Sequence, residues 1–241
     1  MTPETWYAAS ARPFESLPPL EGRQDARIAI VGGGYAGVCL ALGLAERGVR
    51  EVVLLEREGI GHGASGRNGG FVFGGYSLGE GALLGQLGAE RARALYGATT
   101  RAVDLIRQRI RQYAIACDAV DAGVLCANWF RDASILHARQ ALLKGAYGVE
   151  WEWVPESQLR SVIHSNRYHD ALFERNALHL HPLDYLHGMV RAAQGQGVRL
   201  HEHSRVRKIE RDGVAWRLRT EAGEVLAQTV VLACGGYLSH L

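Results

Sequence analysis

The 241-residue chain is 47% hydrophobic and 22% charged, with a formal net charge of +2 at pH 7. These are ordinary values for one α/β domain, or one domain carrying an insertion, with a sizeable core. A balance this close to zero leaves no electrostatic footprint for nucleic acid or anionic lipid, so neither is expected as a partner.

In chain order, residues 1–27 carry Trp6, Tyr7 and prolines at 3, 13, 18 and 19, the composition of an irregular arm laid over a surface. No basic start leads into an apolar run, so no secretory signal is expected. Arg27 to Glu56 then reads as strand, glycine turn, helix and second strand. Gly32, Gly34 and Gly37 fit G-x-G-x-x-G in the strand–turn–helix setting that a dinucleotide fingerprint requires. Each spacing has a cause: Gly32 allows the sharp turn, Gly34 clears room for a pyrophosphate, and Gly37 lets helix and strand pack closely. A helix starting near Tyr35 turns N–H groups and a positive dipole end toward phosphates. Glu56 follows Gly37 by nineteen positions, where a carboxylate can take both ribose hydroxyls.

Ile28 to Ala45 is eighteen residues without a formal charge, close to the length of a membrane span. Five glycines inside it and four charges just after it point instead to a buried parallel strand and a core helix. Six glycines then fall between Arg57 and Gly70, too many for a helix or a strand interior, so this loop is expected to wrap a ligand. Further on, the spacing predicts a helix over Ala89–Tyr113 with Leu95, Ala98, Ala102, Ile106, Ile110 and Tyr113 on one face. A strand is expected over Val120–Ala127, a helix over Arg131–Lys144 stopped by Gly145, and a strand over Val149–Val154. A short helix over Pro155–Ile163 and a strand over Tyr168–Phe173 follow. Residues 76–182 thus read as a mixed block inserted between residues 28–75 and 183–241. Pro182 opens a helix over Leu183–Gln194. Asp212-Gly213 and Ala222-Gly223 mark hairpins joining Val206–Arg211, Val214–Thr220 and Val225–Leu232, and the last strand runs into Gly235-Gly236.

Glu56 would repel a 2′-phosphate, which disfavours NADP and leaves NAD and FAD. The glycine loop after Glu56 favours FAD, whose ribityl chain and ring want backbone donors beyond the pyrophosphate. Here the chain resembles the FAD-dependent amine and amino-acid oxidoreductases of the D-amino-acid oxidase and glycine oxidase type. Its Gly61-x-Gly63-Ala64-Ser65-Gly66-Arg67-Asn68-Gly69-Gly70 loop is similar to that of γ-glutamylputrescine oxidases, as are Trp6-Tyr7-Ala8-Ala9-Ser10 and Leu178-His-Leu-His-Pro-Leu-Asp-Tyr.

The resemblance implies an α/β fold: a Rossmann-like FAD-binding domain with an inserted mixed α+β portion of the substrate domain. It implies a cofactor site of Gly32, Gly33, Gly34, Tyr35, Ala36 and Gly37 at the pyrophosphate, Glu56 at the adenosine ribose and Arg57 beside adenine. Ala64, Ser65, Arg67, Asn68, Gly69 and Gly70 would follow the pyrophosphate, ribityl chain and ring; Val206 would meet adenine; Ala233, Gly235 and Gly236 would approach from the far side. It also implies oxidation of the C–N bond of a small amine or amino acid by hydride transfer to flavin, with no side-chain base required. Family members are longer than a chain ending at His240-Leu241, so the C-terminal part of the fold is expected to be missing. A catalytically inactive FAD-binding remnant, or a subunit that a second chain completes, is therefore the alternative, and an NAD-linked dehydrogenase a third.

Several residue groups read as structural. Four scattered cysteines, Cys39, Cys117, Cys126 and Cys234, without a C-x-x-C pair, fit a reducing cytoplasm. His179 with His181, and His201 with His203, have strand-face spacing but no accompanying acid or cysteine at ligand spacing, so no metal is expected. His62 is weighed as a covalent flavin attachment point, as in some relatives, and set aside. Trp129-Phe130 and Trp151-x-Trp153 read as core rather than pocket wall.

Overall fold

The computed structural model describes residues 5–238. In chain order it contains α1 (Trp6–Ser10), β1 (Gly22–Val31), α2 (Tyr35–Glu46), β2 (Val52–Leu55), β3 (Phe71–Val72) and α3 (Glu80–Gln112). Then come β4 (Val124–Ala127), α4 (Ser134–Leu142), β5 (Glu152–Val154), α5 (Glu156–Val162), β6 (Ala171–Glu174) and β7 (Leu178–His179). The chain closes with α6 (Pro182–Gly195), β8 (Arg199–His201), β9 (Lys208–Asp212), β10 (Ala215–Arg219) and β11 (Gly223–Leu232). These elements form two compact units. The first gathers the described residues up to Gly69, Arg109–Cys117 and the described residues from His181 onward; the second comprises Gly70–Gln108 and Asp118–Leu180.

A six-stranded sheet in the order β8-β2-β1-β11-β10-β9 organises the first unit. β8, β2, β1 and β11 are parallel, and β10 and β9 return as an antiparallel hairpin edge. β2 is buried at all four positions, as its unbroken Val-Val-Leu-Leu run requires of a central parallel strand. Leu20, Ala29, Val53, Leu55, Val206, Leu218, Val225 and Ala227 form one core cluster of this unit. Arg109–Cys117, inside the stretch read as an inserted block, packs here: Arg109 pairs with Glu46 at 2.7 Å, and Ile115 fills the place a Cβ on Gly188 would need.

The arm differs from its irregular reading. Thr5 Oγ1 caps α1 by accepting the Ala8 N–H, and β1 begins at Gly22 because it pairs with β11 from Gly22↔Gly223 onward. The arm is fastened to α6 in steps. Ser10 Oγ lies 3.2 Å from His181 Nε2. Arg12 donates to both Asp184 oxygens, from its N–H at 2.8 Å and from Nη1 at 2.6 Å. The Phe14 ring stacks on His187 at 3.9 Å and 8°.

Burial pushes the His187 imidazole down to about 4, and Arg191 adds to that, while Asp184 and Glu202 oppose it. Since the folded value lies below the ordinary 6.5, the neutral ring stabilises the fold fully above pH 6.5, and that contribution is lost as pH falls toward 4. Between pH 7 and pH 5 the loss is about 2 kcal/mol. His187→Phe keeps a stacking ring without the titration. Urea midpoints at the two pH values are expected to fall less for the variant than for the natural chain.

In the second unit, β4, β6 and β5 form an antiparallel sheet in that order, and β3 pairs with β7. The core is Leu83, Ala92, Tyr96, Leu136, Leu143, Tyr147, Trp151 and Leu172. α3 is two helical segments joined at Gly88, whose φ of 74° and ψ of 167° lie outside the helical region: residues 80–87 form a further segment, and the second starts at Ala89 as expected. Its buried face here runs through Ala92, Tyr96 and Val103, whereas Leu95, Ala98 and Ala102 are exposed, because Tyr96 rather than Leu95 turns into the core. Gly145 does not stop the helix after α4: winding continues through a π turn, Leu143–Tyr147, and Gly148 ends it in the left-handed region at φ 70°. The strand expected over Val120–Ala127 pairs as a ladder only from Val124, following the left-handed Gly123, with Val120 making a single bridge to His179. Trp151 is buried and Trp153 packs against the core as expected, but Trp129 and Phe130 are 51% and 62% exposed. Among the described residues, no helix is long and apolar enough to cross a membrane.

Candidate nucleotide site

The fingerprint glycines are each required by a contact. A Cβ on Gly32, whose φ is 115°, would lie 2.6 Å from the Ala233 carbonyl oxygen, and one on Gly37 would lie 1.9 Å from that of Gly32. Gly37 therefore lets α2 pack directly on the turn after β1. A Cβ on Gly34 would lie 2.8 Å from Ser65 Oγ. Gly33, the variable position of the fingerprint, is also constrained: its missing Cβ leaves room for Ile60 Cδ1 and Glu56 Cβ.

α2 begins at Tyr35 with no capping side chain from its own N-cap, Gly34. Ser65 supplies one from the glycine loop, its Oγ accepting the Tyr35 N–H at 2.9 Å. The Ser65 hydroxyl thus stands at the positive end of α2 with its own proton available to a ligand oxygen. Ser65→Ala is expected to cost about 1 kcal/mol, the worth of a helix cap, in urea unfolding. Glu56 follows β2, and its carboxylate accepts the Gly33 N–H at 2.6 Å and the Glu58 N–H at 2.9 Å. The acid at the end of the second strand is thereby tied to the fingerprint turn.

Around these residues lies a cavity of about 440 Å³, wholly within the first unit. Of the residues expected at a cofactor, Gly32, Gly33, Gly34, Ala36, Glu56, Arg57, Ala64, Ser65, Val206, Ala233, Gly235 and Gly236 line it. The structure brings together the start of β2's following loop, the fingerprint turn and the end of β11, which are far apart in sequence. Tyr35 and Gly37 do not line the cavity. The Tyr35 hydroxyl donates to the Pro182 carbonyl at 2.8 Å, and burial raises its pKa. Arg67 and Asn68 do not line it either; Arg67 Nε donates to the His62 carbonyl at 2.8 Å, and Asn68 Nδ2 to that of Ser65 at 2.8 Å, while the Asn68 side chain also bonds to that of Tyr35. Gly69 and Gly70 are also outside the lining.

His62, set aside in the sequence as a flavin attachment point, is a wall residue, and sequence reasoning missed Ser204, Arg205, Cys234 and Tyr237 beside it. The Tyr237 ring crosses Gly63, where a Cβ would come within 3.0 Å of it. Burial, then the Glu56 charge, raises the Cys234 thiol pKa. The Asn-Gly-Gly and Cys-Gly-Gly runs were the only local signals near these positions, and neither says which side chains face inward.

A parallel sheet with a glycine turn at a helix N-terminus, an acid closing the second strand and a cavity walled by main chain define a dinucleotide-binding protein of the Rossmann class. Residues 27–241 match the family model described as FAD dependent oxidoreductase, and the chain belongs to that family. It is 34% identical over 234 residues to the gamma-glutamylputrescine oxidoreductase of Escherichia coli K12, covering 97% of this chain and 54% of that protein. A probable oxidoreductase, OrdL, of Haemophilus influenzae is 30% identical over 239 residues, 98% of this chain and 55% of that one. The chain thus spans about half the length of these curated relatives. Among solved structures, glycine oxidase from Geobacillus kaustophilus superposes with a TM-score of 0.71 at 24% identity, over 88% of this chain and 56% of that one. The L-amino acid deaminase of Proteus myxofaciens gives 0.75 at 22% identity, over 95% and 49%. FAD is the cofactor of the family, and the main-chain walls, Ser65 and Glu56 fit a nucleotide of that kind.

Proposed function

We propose that this chain is the FAD-holding portion of an oxidoreductase that oxidises the C–N bond of a small amine or amino acid. The observation that carries this is the Glu56–Gly33 hydrogen bond beside a cavity lined by glycine main chain and the Ser65 hydroxyl. In this role the α2 terminus and Ser65 hold the pyrophosphate, Glu56 takes the adenosine ribose, and Arg57 and Val206 flank adenine. Bound FAD supplies the acceptor for a hydride leaving the carbon beside the substrate nitrogen. The chain's own share is to bind and orient that group. Arg67 and Asn68 contribute by keeping the loop around Ala64–Gly66 in its turn, and Gly69 and Gly70 by carrying the chain onward from it.

The substrate class follows the relatives' names: a γ-glutamylated diamine, as for the Escherichia coli protein, or glycine and other small amino acids. We further propose a cytoplasmic protein, on four free cysteines, and either a continuing chain or a second chain to supply the substrate-facing remainder. The test is a flavin titration followed by an amine panel assayed for peroxide and for reduction of an artificial acceptor. Oxidation of one of these amines is the expected result. Flavin binding with no turnover of any amine, even when the remaining half is supplied, would establish the inactive remnant instead.

A further inference from the structure

Glu202 follows β8 and is only 3% exposed. Its carboxylate joins two segments remote from it in sequence. Oε2 accepts from Ser16 Oγ and from the Leu17 N–H, each at 2.7 Å, and Oε1 accepts from the Ile60 N–H at 2.6 Å. Ile60 in turn fills the space beside Gly33, and the Gly61 N–H donates to the Gly33 carbonyl at 3.1 Å. Two residues on from Glu202, the Ser204 N–H donates to the Glu56 carbonyl at 2.8 Å. Ser204 Oγ accepts the Leu20 N–H at 2.8 Å and donates to the Glu202 carbonyl at 2.7 Å. Arg205 and Val206 then enter the cavity wall. The arm, the glycine loop and the fingerprint turn are therefore hydrogen-bonded in series, with one buried carboxylate at the branch.

We propose that Glu202 is a positioning residue for nucleotide binding: through Ile60 it transmits the docking of Ser16–Leu20 to the Gly32–Gly34 turn, so that arm docking and nucleotide affinity are coupled. The inference rests on FAD occupying the cavity. A carboxylate suits the branch because it only accepts, and three donors converge on it. Glutamine would turn an NH2 toward one of those donors and leave it unsatisfied. Coupling of this kind is reciprocal, so the nucleotide must tighten the arm by the factor with which the arm tightens the nucleotide. Loss of a staple that merely stabilised the fold would lower the melting temperature and leave the affinity of the folded protein unchanged.

The experiment titrates the full chain, Glu202→Gln and Ser16→Ala with FAD and with ADP, well below their melting temperatures. It also follows hydrogen exchange at the Leu17 and Leu20 amides of the natural chain with and without saturating ADP. Glu202→Gln is expected to weaken both ligands about tenfold, with Ser16→Ala weaker in the same direction. ADP should slow exchange at both amides by about the factor lost in Glu202→Gln. Unchanged affinities with only a lowered melting temperature, or exchange that ADP does not slow, overturn the coupling. If Glu202→Gln does not fold, Ser16→Ala and the exchange measurement decide. A natural chain that binds neither ligand overturns the cofactor assignment itself, and this inference with it.

Discussion

Gly37→Ala is expected to abolish FAD binding and to destabilise the chain by about 3 kcal/mol or more. Two effects oppose each other at this position. Alanine inside a helix is favoured over glycine by up to about 1 kcal/mol. Against that, the new methyl would stand 1.9 Å from the Gly32 carbonyl oxygen, which is main chain and cannot swing aside. Relief requires α2 to move off the turn, and that movement displaces the N–H groups proposed to hold the phosphates. The clash wins. Gly43, in the same helix, is the control: its new methyl would meet only the guanidinium ends of Arg47 and Arg109, at 3.3 and 3.4 Å. Gly43→Ala should stay within about 1 kcal/mol of the natural chain and keep its affinity. Urea unfolding and flavin titration of the two variants side by side measure both effects.

Glu56→Ala is expected to weaken FAD about 100-fold, near 3 kcal/mol, through the loss of charge-assisted hydrogen bonds. The carboxylate does two things at once in this structure. It holds the Gly33 and Glu58 N–H groups in place, and it closes the cavity at the end of β2. Its removal leaves both N–H groups seeking partners and takes away the acceptor proposed for the ribose hydroxyls. The loss concerns the adenosine half alone, so ADP affinity should fall by the same factor as FAD affinity. A variant that lost FAD but kept ADP would place the role of Glu56 elsewhere.

What could be read from the sequence was local. The turn glycines, the helix over Tyr35–Glu46 and the strand before Glu56 lie within thirty residues, and their spacing follows from backbone geometry. The two hairpin turns and the Pro182 helix start are short-range signals of the same sort. The rest depended on contacts across long stretches of chain. Nothing near Gly22 announces that it pairs with Gly223, and nothing near Glu202 announces Ser16 or Ile60. The buried face of α3 is not legible in the sequence because Leu95 and Tyr96 are neighbours and both apolar, and it is packing in the core, against Tyr147 among others, that turns Tyr96 inward. The place of Arg67 and Asn68 in a glycine loop suggests ligand contacts, and nothing in the sequence shows that each also bonds to a carbonyl of that loop. A glycine-rich stretch shows that backbone approaches something closely. It does not show which polar side chains are spent on holding that backbone.

The most direct measurement is a titration of purified, flavin-stripped chain with FAD, followed by protein fluorescence and thermal melting, with release of the bound material by heat. Saturation at one FAD per chain, a rise in melting temperature with FAD concentration and recovery of a flavin absorbing near 450 nm (an approximate property of the cofactor) are the predicted results. No quenching, no shift in melting and no recovered FAD would contradict the account at its base.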